Sequence, residues 1–247
     1  ASMATAMQEA ATSRHNGPAA HPPMAKVGAM RRALQRPQSL AEQAAVTIRQ
    51  RIIDGLLPLG SALSEVALAT DLGVSKTPVR EALLRLSKDG LVEILPQRGT
   101  YVFRLDARQV RALTVMRELL ERKALVMAAP AHRELGAALA KVVAAMERAL
   151  PLDDPQDYRR LDDAFHQTII DAAENEFLAD AYDRIAFRVQ ALRSGLARVR
   201  ERNQRSFAEH GRLADLIAAG DMAAADELLG HHIRFNGEAY VATLNAG

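Results

Sequence analysis

Cysteine and tryptophan are both absent from this 247-residue chain. Without a thiol there is no disulfide scaffold and no thiolate zinc site, and a reducing cytoplasm is the compartment that fits. Long apolar runs are missing too. None approaches the roughly 18 residues that a membrane span needs, and no signal-peptide core follows the first residues, so no membrane partner is expected. Aromatics make up only 4% of the chain while Ala, Leu and Arg are common, which tilts the expectation towards helix. Pro18, Pro22, Pro23 and Pro37 interrupt a segment with no helical or alternating period, so 1–38 reads as a disordered tail.

An excess of one charge is lacking as well. The formal net charge is +2, divided as +4 over 1–38, +1 over 39–104 and −3 over 105–247. A nucleic-acid-binding surface, if present, must therefore depend on where charges sit rather than on a basic bulk.

What is present is organised around Ser64–Val102. In a helix-turn-helix the helices cross closely, so the first must offer a small residue and the turn must reach positive φ; Ala69 and Gly73 meet those needs. Val79, six residues on, is placed to pack the second helix back onto the first. Thr77 and Pro78 read as an N-cap and a first helical proline. Lys76, Thr77 and Arg80 would then occupy the exposed N-terminal end, which a recognition helix puts into the major groove.

A helix is expected first over Ser39–Asp54, with Leu40, Ala44, Ile48 and Ile52 at helical spacing, stopped by Gly55. Leu57-Pro58-Leu59-Gly60 makes a turn, and Ser64 caps the first helix of the motif. The second runs to about Lys88. Leu91–Leu95 and Thr100–Phe103 are β-prone runs around Pro96-Gln97-Arg98-Gly99, giving a two-stranded wing.

From Asp106, which forms a capping-box spacing with Gln109, a helix is expected to about Ala129, broken by Pro130. The next covers about 134–150, with Leu135, Leu139, Val142, Val143 and Met146 on one side. Asp154-Pro155 starts a third, and Glu174-Asn175 precedes a fourth of about 177–200. A fifth covers about 203–218 and, after Gly220-Asp221, a sixth about 222–243. The fold class is mainly α: a winged helix-turn-helix over 39–104 and an all-α six-helix bundle over 105–247.

Three histidines of the bundle fall on apolar stripes. His166 borders the buried side of its helix, four residues after Asp162. His210 is in phase with Phe207, Leu213 and Ile217, and His232 with Leu228 and Leu229. A single inward histidine is usually a hydrogen-bonded core residue. Three on separate helices, with an aspartate one turn from one of them, are a candidate metal site; they suit zinc, nickel, manganese or iron. No water-activating motif such as H-E-x-x-H accompanies them, so a metal here need not imply catalysis.

Leu57-Pro-Leu-Gly60, Leu63-Ser-Glu65, the run Leu72–Leu83, Gly90-Leu-Val92 and Arg98-Gly99 carry a family resemblance. So do Arg117, Asp162-Asp-Ala-Phe-His166, Glu209-His210 and His232-Ile233. The chain resembles the GntR family of bacterial transcription regulators, in the FadR-like branch with an FCD ligand-binding domain. Six rather than seven C-terminal helices resembles the smaller VanR-type subgroup. The resemblance implies a homodimer on an inverted repeat of double-stranded DNA, a small carboxylate metabolite as effector, and repression as the expected mode. It implies a cytoplasmic protein, nucleoid-associated when bound. By position, Ser64, Ser75, Lys76, Thr77 and Arg80 would meet DNA at the helices, and Arg98 and Gly99 at the wing. Lys76 stands where most relatives have arginine, and lysine grips guanine less rigidly. Asp162, His166, His210 and His232 match metal ligands, zinc being the first expectation. Arg117 matches an arginine that faces the effector pocket, although Glu121 one turn on offers it a salt bridge instead. Two alternatives remain at this point: a metal-dependent enzyme with an accessory DNA-binding domain, and a DNA-architectural protein with a purely structural bundle.

Overall fold

A computed structural model describes residues 38–150, 155–196 and 200–244. The expected tail over 1–37, the Asp154 cap and the stretch 197–199 of the fourth bundle helix lie outside the described residues.

The chain enters through α1 (Leu40–Ile53), whose Ser39 and Glu42 form a reciprocal capping box. Ala44, Ile48 and Ile52 face the core as their spacing requires. Leu40 does not: at the first helical position it precedes the turn that meets the core, and it is exposed. Next come β1 (Ala62–Leu63), α2 (Glu65–Leu72), α3 (Lys76–Lys88), β2 (Val92–Leu95) and β3 (Gly99–Val102). Gly73 ends α2 at φ 66°, and Ala69 and Val79 are buried where α2 and α3 meet. This is a winged helix-turn-helix.

Two details differ from expectation. The sheet has three strands in the order β1-β3-β2, all antiparallel, with Leu63 paired to Thr100 and Thr100 to Ile94. At two residues, β1 is too short to show an alternating pattern. The cap of α3 is Ser75, in extended conformation, rather than Thr77, and Pro78 is the third helical residue. The first backbone N–H groups of a helix have no acceptor within it, so a proline is tolerated in either place. That equivalence hides the boundary from the sequence.

Six α-helices follow among the described residues: α4 (Ala107–Met127), α5 (His132–Ala149), α6 (Pro155–Asp171), α7 (Glu176–Leu196), α8 (Arg200–Ala219) and α9 (Met222–Leu244). Asp106 and Gln109 box the start of α4, and Pro130 sits in a 3-10 turn before α5. Asn175 accepts the Leu178 N–H at the start of α7, and Asp221 does the same for Ala224 at the start of α9. The helices pack chiefly as α5 on α8 and α4 on α9, around Leu139, Met146, Phe165, Ile169, Leu213 and Ile217. None is long and apolar enough to cross a membrane.

The two halves meet at α7. Ala191 is buried among the core residues of the winged helix, and the Phe187 ring stands edge-on to Phe103 at 6.0 Å. The Ser194 hydroxyl donates to the Ile53 carbonyl at the end of α1.

Where α5 crosses α8, a Cβ on Gly136 would stand 2.7 Å from the Ala218 Cα. Alanine normally stabilises a helix over glycine by about 1 kcal/mol, but overpacking against backbone costs about 1–3 kcal/mol. Gly136→Ala is thus expected to lower stability; a rise in the urea midpoint would show that the crossing has room.

Candidate metal centre and nucleic-acid face

The side chain that points out of the N-terminal half depends on which face α3 buries. Val79, Ala82, Leu83 and Leu86 go inward, so Lys76, Thr77 and Arg80 lie exposed along the opposite side. Ser75 makes no side-chain capping bond, leaving the first N–H groups of α3 open to an anion. Ser64 is exposed but occupied, accepting the Ala67 N–H at 3.2 Å. Arg98 and Gly99 are exposed at the wing tip, where Gln97 reaches φ 61° and the Tyr101 hydroxyl donates to the Arg98 carbonyl at 2.8 Å. All seven residues expected at DNA are therefore exposed. Arg80 is already held: Nε and Nη2 fork onto the Glu65 carboxylate at 3.1 and 2.8 Å, which keeps the guanidinium pKa high.

In the bundle, α6, α8 and α9 bring Asp162, His166, His210 and His232 together, all buried, with one candidate ligand atom of each within 4.8 Å of the others. His210 Nε2 lies 3.3 Å from His166 Nε2 and 3.6 Å from Asp162 Oδ1. Donors bound to one ion at about 2.0–2.1 Å stand about 3–3.5 Å apart, so these gaps fit a shared cation. The outer nitrogens fit as well. His166 Nδ1 is 2.6 Å from Glu121 Oε2, and His232 Nδ1 is 2.7 Å from Glu209 Oε2. Such carboxylates commonly fix a metal-binding imidazole so that Nε2 is turned towards the ion; here Arg117 Nη2 and Asn236 Nδ2 stand 3.1 and 3.2 Å from the Nε2 atoms of His166 and His232. His210 Nδ1 is buried with no partner among the described residues, so none of them fixes its tautomer. Burial pushes the His166 pKa well down and that of His210 to about 3, leaving both rings neutral, the form that binds metal. The quartet can hold a metal ion; its chemistry does not select one element.

Around the quartet lies a ladder of buried charge. Arg193 Nε pairs with Asp162 at 3.0 Å and its Nη1 with Asp163 at 2.5 Å. Arg159 Nη1 takes the other oxygen of Asp163 at 3.0 Å, and Arg159 Nη2 pairs with Asp54, the residue that ends α1. Burial raises the Asp162 carboxyl, but the opposing pull of Arg193 and the histidines is larger and holds it well below the carboxylate range. Asp163 goes the other way: there burial outweighs Arg193, and its pKa is raised.

Arg117 makes the expected one-turn salt bridge and also approaches the quartet. Its Nε donates to Glu121 at 2.6 Å, the one-turn salt bridge, while Nη2 lies 3.1 Å from His166 Nε2, beside the quartet.

Sequence reasoning did not place Glu121, Arg193, Asp163, Arg159 or Glu209 around this centre. Glu121 carried a usable signal. It is in phase with Arg117, Ala124 and Leu125 on the buried side of α4, a charged residue on an apolar stripe like the three histidines. Arg159 carried the one-turn spacing to Asp163, but Arg193 carried none, because its carboxylates come from another helix.

An exposed helix-turn-helix joined to a buried ligand-holding bundle defines a DNA-binding regulator with a sensor domain. Comparison with known proteins is specific. The model of the bacterial regulatory proteins, gntR family, matches 40–102, and that of the FCD domain matches 112–235. This chain belongs to the GntR family of transcription regulators, FadR-like branch, with an FCD domain. It is 32% identical over 161 residues to the HTH-type transcriptional repressor RspR of Escherichia coli K12, covering 63% of this chain and 69% of that one. It is 29% identical over 145 residues to the gluconate operon transcriptional repressor of Bacillus subtilis, covering 57% and 58%. A solved GntR regulator from Rhodococcus sp. RHA1 shares the fold, with TM-score 0.73 at 22% identity over 83% of this chain and 99% of that one. The family is one of regulators, so the enzyme alternative is set aside.

His210→Ala is expected to lower metal per chain, read by plasma mass spectrometry after loading with zinc. It should also remove the gain in melting temperature that zinc gives the wild type, since a ligand at a thousandfold its Kd adds about 4 kcal/mol. Unchanged stoichiometry would remove His210 from the ligand set.

Proposed function

We propose that this protein is a homodimeric repressor that reads an inverted repeat in double-stranded DNA and answers to a small organic acid. Residues 39–104 would be the reading half and 105–247 the sensing and dimerising half. The observation that carries this reading is the join between them: the quartet in the bundle is linked through Arg193, Asp163 and Arg159 to Asp54 of α1. Ligand can change DNA affinity only through differential affinity for two arrangements, and this ladder joins the quartet to the end of the first helix of the reading half.

In this reading Lys76, Thr77 and Arg80 enter the major groove, Ser64 and Ser75 approach phosphates, and Arg98 with Gly99 follows the wing. Asp162, His166, His210 and His232 hold a divalent transition ion, zinc first, with nickel, manganese or iron as alternatives. Such an ion supplies a Lewis-acid anchor for a carboxylate beside Arg117. The name of the gluconate operon relative is in keeping with an acid effector. The six C-terminal helices support the VanR-type subgroup, and the protein would act in the cytoplasm, at the nucleoid when bound to DNA.

Dimerisation is supported by α4. Val115, Leu119 and Val126, spaced four and seven apart, are each more than half exposed, which is unusual for apolar residues on one helix face.

Selection of genomic fragments by the purified protein tests the whole reading: one enriched inverted repeat is expected, and retention without sequence preference would point to the architectural alternative. Against that repeat Arg80→Ala should bind roughly ten- to a hundredfold more weakly by fluorescence anisotropy, the value of a groove-reading arginine. Leu119→Glu should yield a folded monomer by light scattering; an intact dimer would move the interface off α4.

A further inference from the structure

The bundle holds a part-open pocket whose wall includes Tyr158, Asp162, Arg193, Arg202, Ser206 and Asn236. Three arginines line it, Arg159 being the third. Arg159 and Arg193 are each forked between two carboxylates. Arg202 meets none among the described residues. Its Nε and Nη2 donate to the Asn236 side-chain oxygen at 3.2 and 2.8 Å, and Nη2 also to the Asn236 carbonyl at 3.3 Å, all neutral acceptors. A part-buried guanidinium facing only amide oxygens is a standing anion receptor.

Position adds direction. Arg202, Ser206 and His210 are four residues apart along α8, hence on one face, in steps of about 6 Å. Ser206 touches Asp162 Oδ1 at 3.4 Å, and His210 belongs to the quartet. One wall of the pocket therefore runs from Asp162, the ion-holding residue that lines it, past Ser206 to Arg202.

Charge sets the ligand. Arg159 and Arg193 face three carboxylates, Asp54, Asp162 and Asp163, and Arg202 brings the set to neutrality. Arg117 with Glu121 and Arg205 with Glu209 are balanced pairs. A divalent ion held by neutral imidazoles then leaves two positive charges in excess at a part-buried site. A monocarboxylate relieves half of that excess and a dicarboxylate all of it.

We infer that this cavity takes a short dicarboxylic acid, with one carboxylate at the ion-holding residues and the second received by Arg202. The inference rests on the reading of the bundle as an acid sensor and narrows it to a class.

The test is titration calorimetry on the zinc-loaded full chain with succinate, malate and glutarate, against butyrate and lactate, at fixed salt. The dicarboxylates should bind at least about tenfold more tightly, as expected for one charge-assisted anchor. Arg202→Gln should abolish that advantage while leaving the monocarboxylates within about twofold of wild type, and Arg202→Lys should restore part of it. Equal affinity of both classes for the wild type, or a full preference surviving in Arg202→Gln, overturns the second anchor alone. If none of the five acids binds, acid sensing fails and this inference fails with it. Should Arg202→Gln unfold, the wild-type comparison still decides.

Discussion

Asp163 is the residue on which most of this structure turns. It is half-buried, it sits beside a candidate metal ligand in sequence, and it accepts from two arginines that each hold another carboxylate. Removing one member of a buried ion pair typically costs about 3–5 kcal/mol, because the partner is left charged and unpaired. Here two guanidinium groups would be orphaned together. Arg193 would lose the restraint that aims its Nε at Asp162, and Arg159 one of the two carboxylates that hold it at α1. A single carboxylate thus shapes the ligand-holding centre and fastens the bundle to the reading head.

Neighbours on one helix are tuned in opposite directions by this arrangement. Asp162 and Asp163 have nearly the same burial, yet Arg193 and three imidazoles surround the first, which stays ionised. At the second, burial outweighs Arg193 and raises the pKa. An anion that draws Arg193 away from Asp162 acts on a group whose other arm holds Asp163.

Much of this was legible in the sequence because it is periodic or local. Ser64, Gly73, Asp106 with Gln109, Pro130 and Asp221 each announce an element end by their own chemistry, and the structure uses all of them. The inward histidines and Asp162 were legible because a polar residue on an apolar stripe is conspicuous. Glu121 obeys the same rule and was read only as a partner for Arg117. What stayed hidden is non-local. Arg193, Arg159 and Asp54 find one another across helices separated by long stretches of chain, and no spacing rule reaches that far. β1 was hidden for the opposite reason, being too short to have a period, and the start of α3 because proline suits several positions of a first helical turn equally.

The helix α7 lends side chains to both hydrophobic cores: Ala191 and Phe187 to the winged helix, Tyr182 and Leu178 to the bundle. Neither half is a closed module. Cutting the chain after the wing would leave a reading head with an open hole where Ala191 sits, and grafting a foreign head onto this bundle would require a new partner surface for one side of α7. Evolutionary exchange of heads between such proteins is therefore constrained at this helix. Heat or denaturant should find a single cooperative unit where the connectivity suggests two.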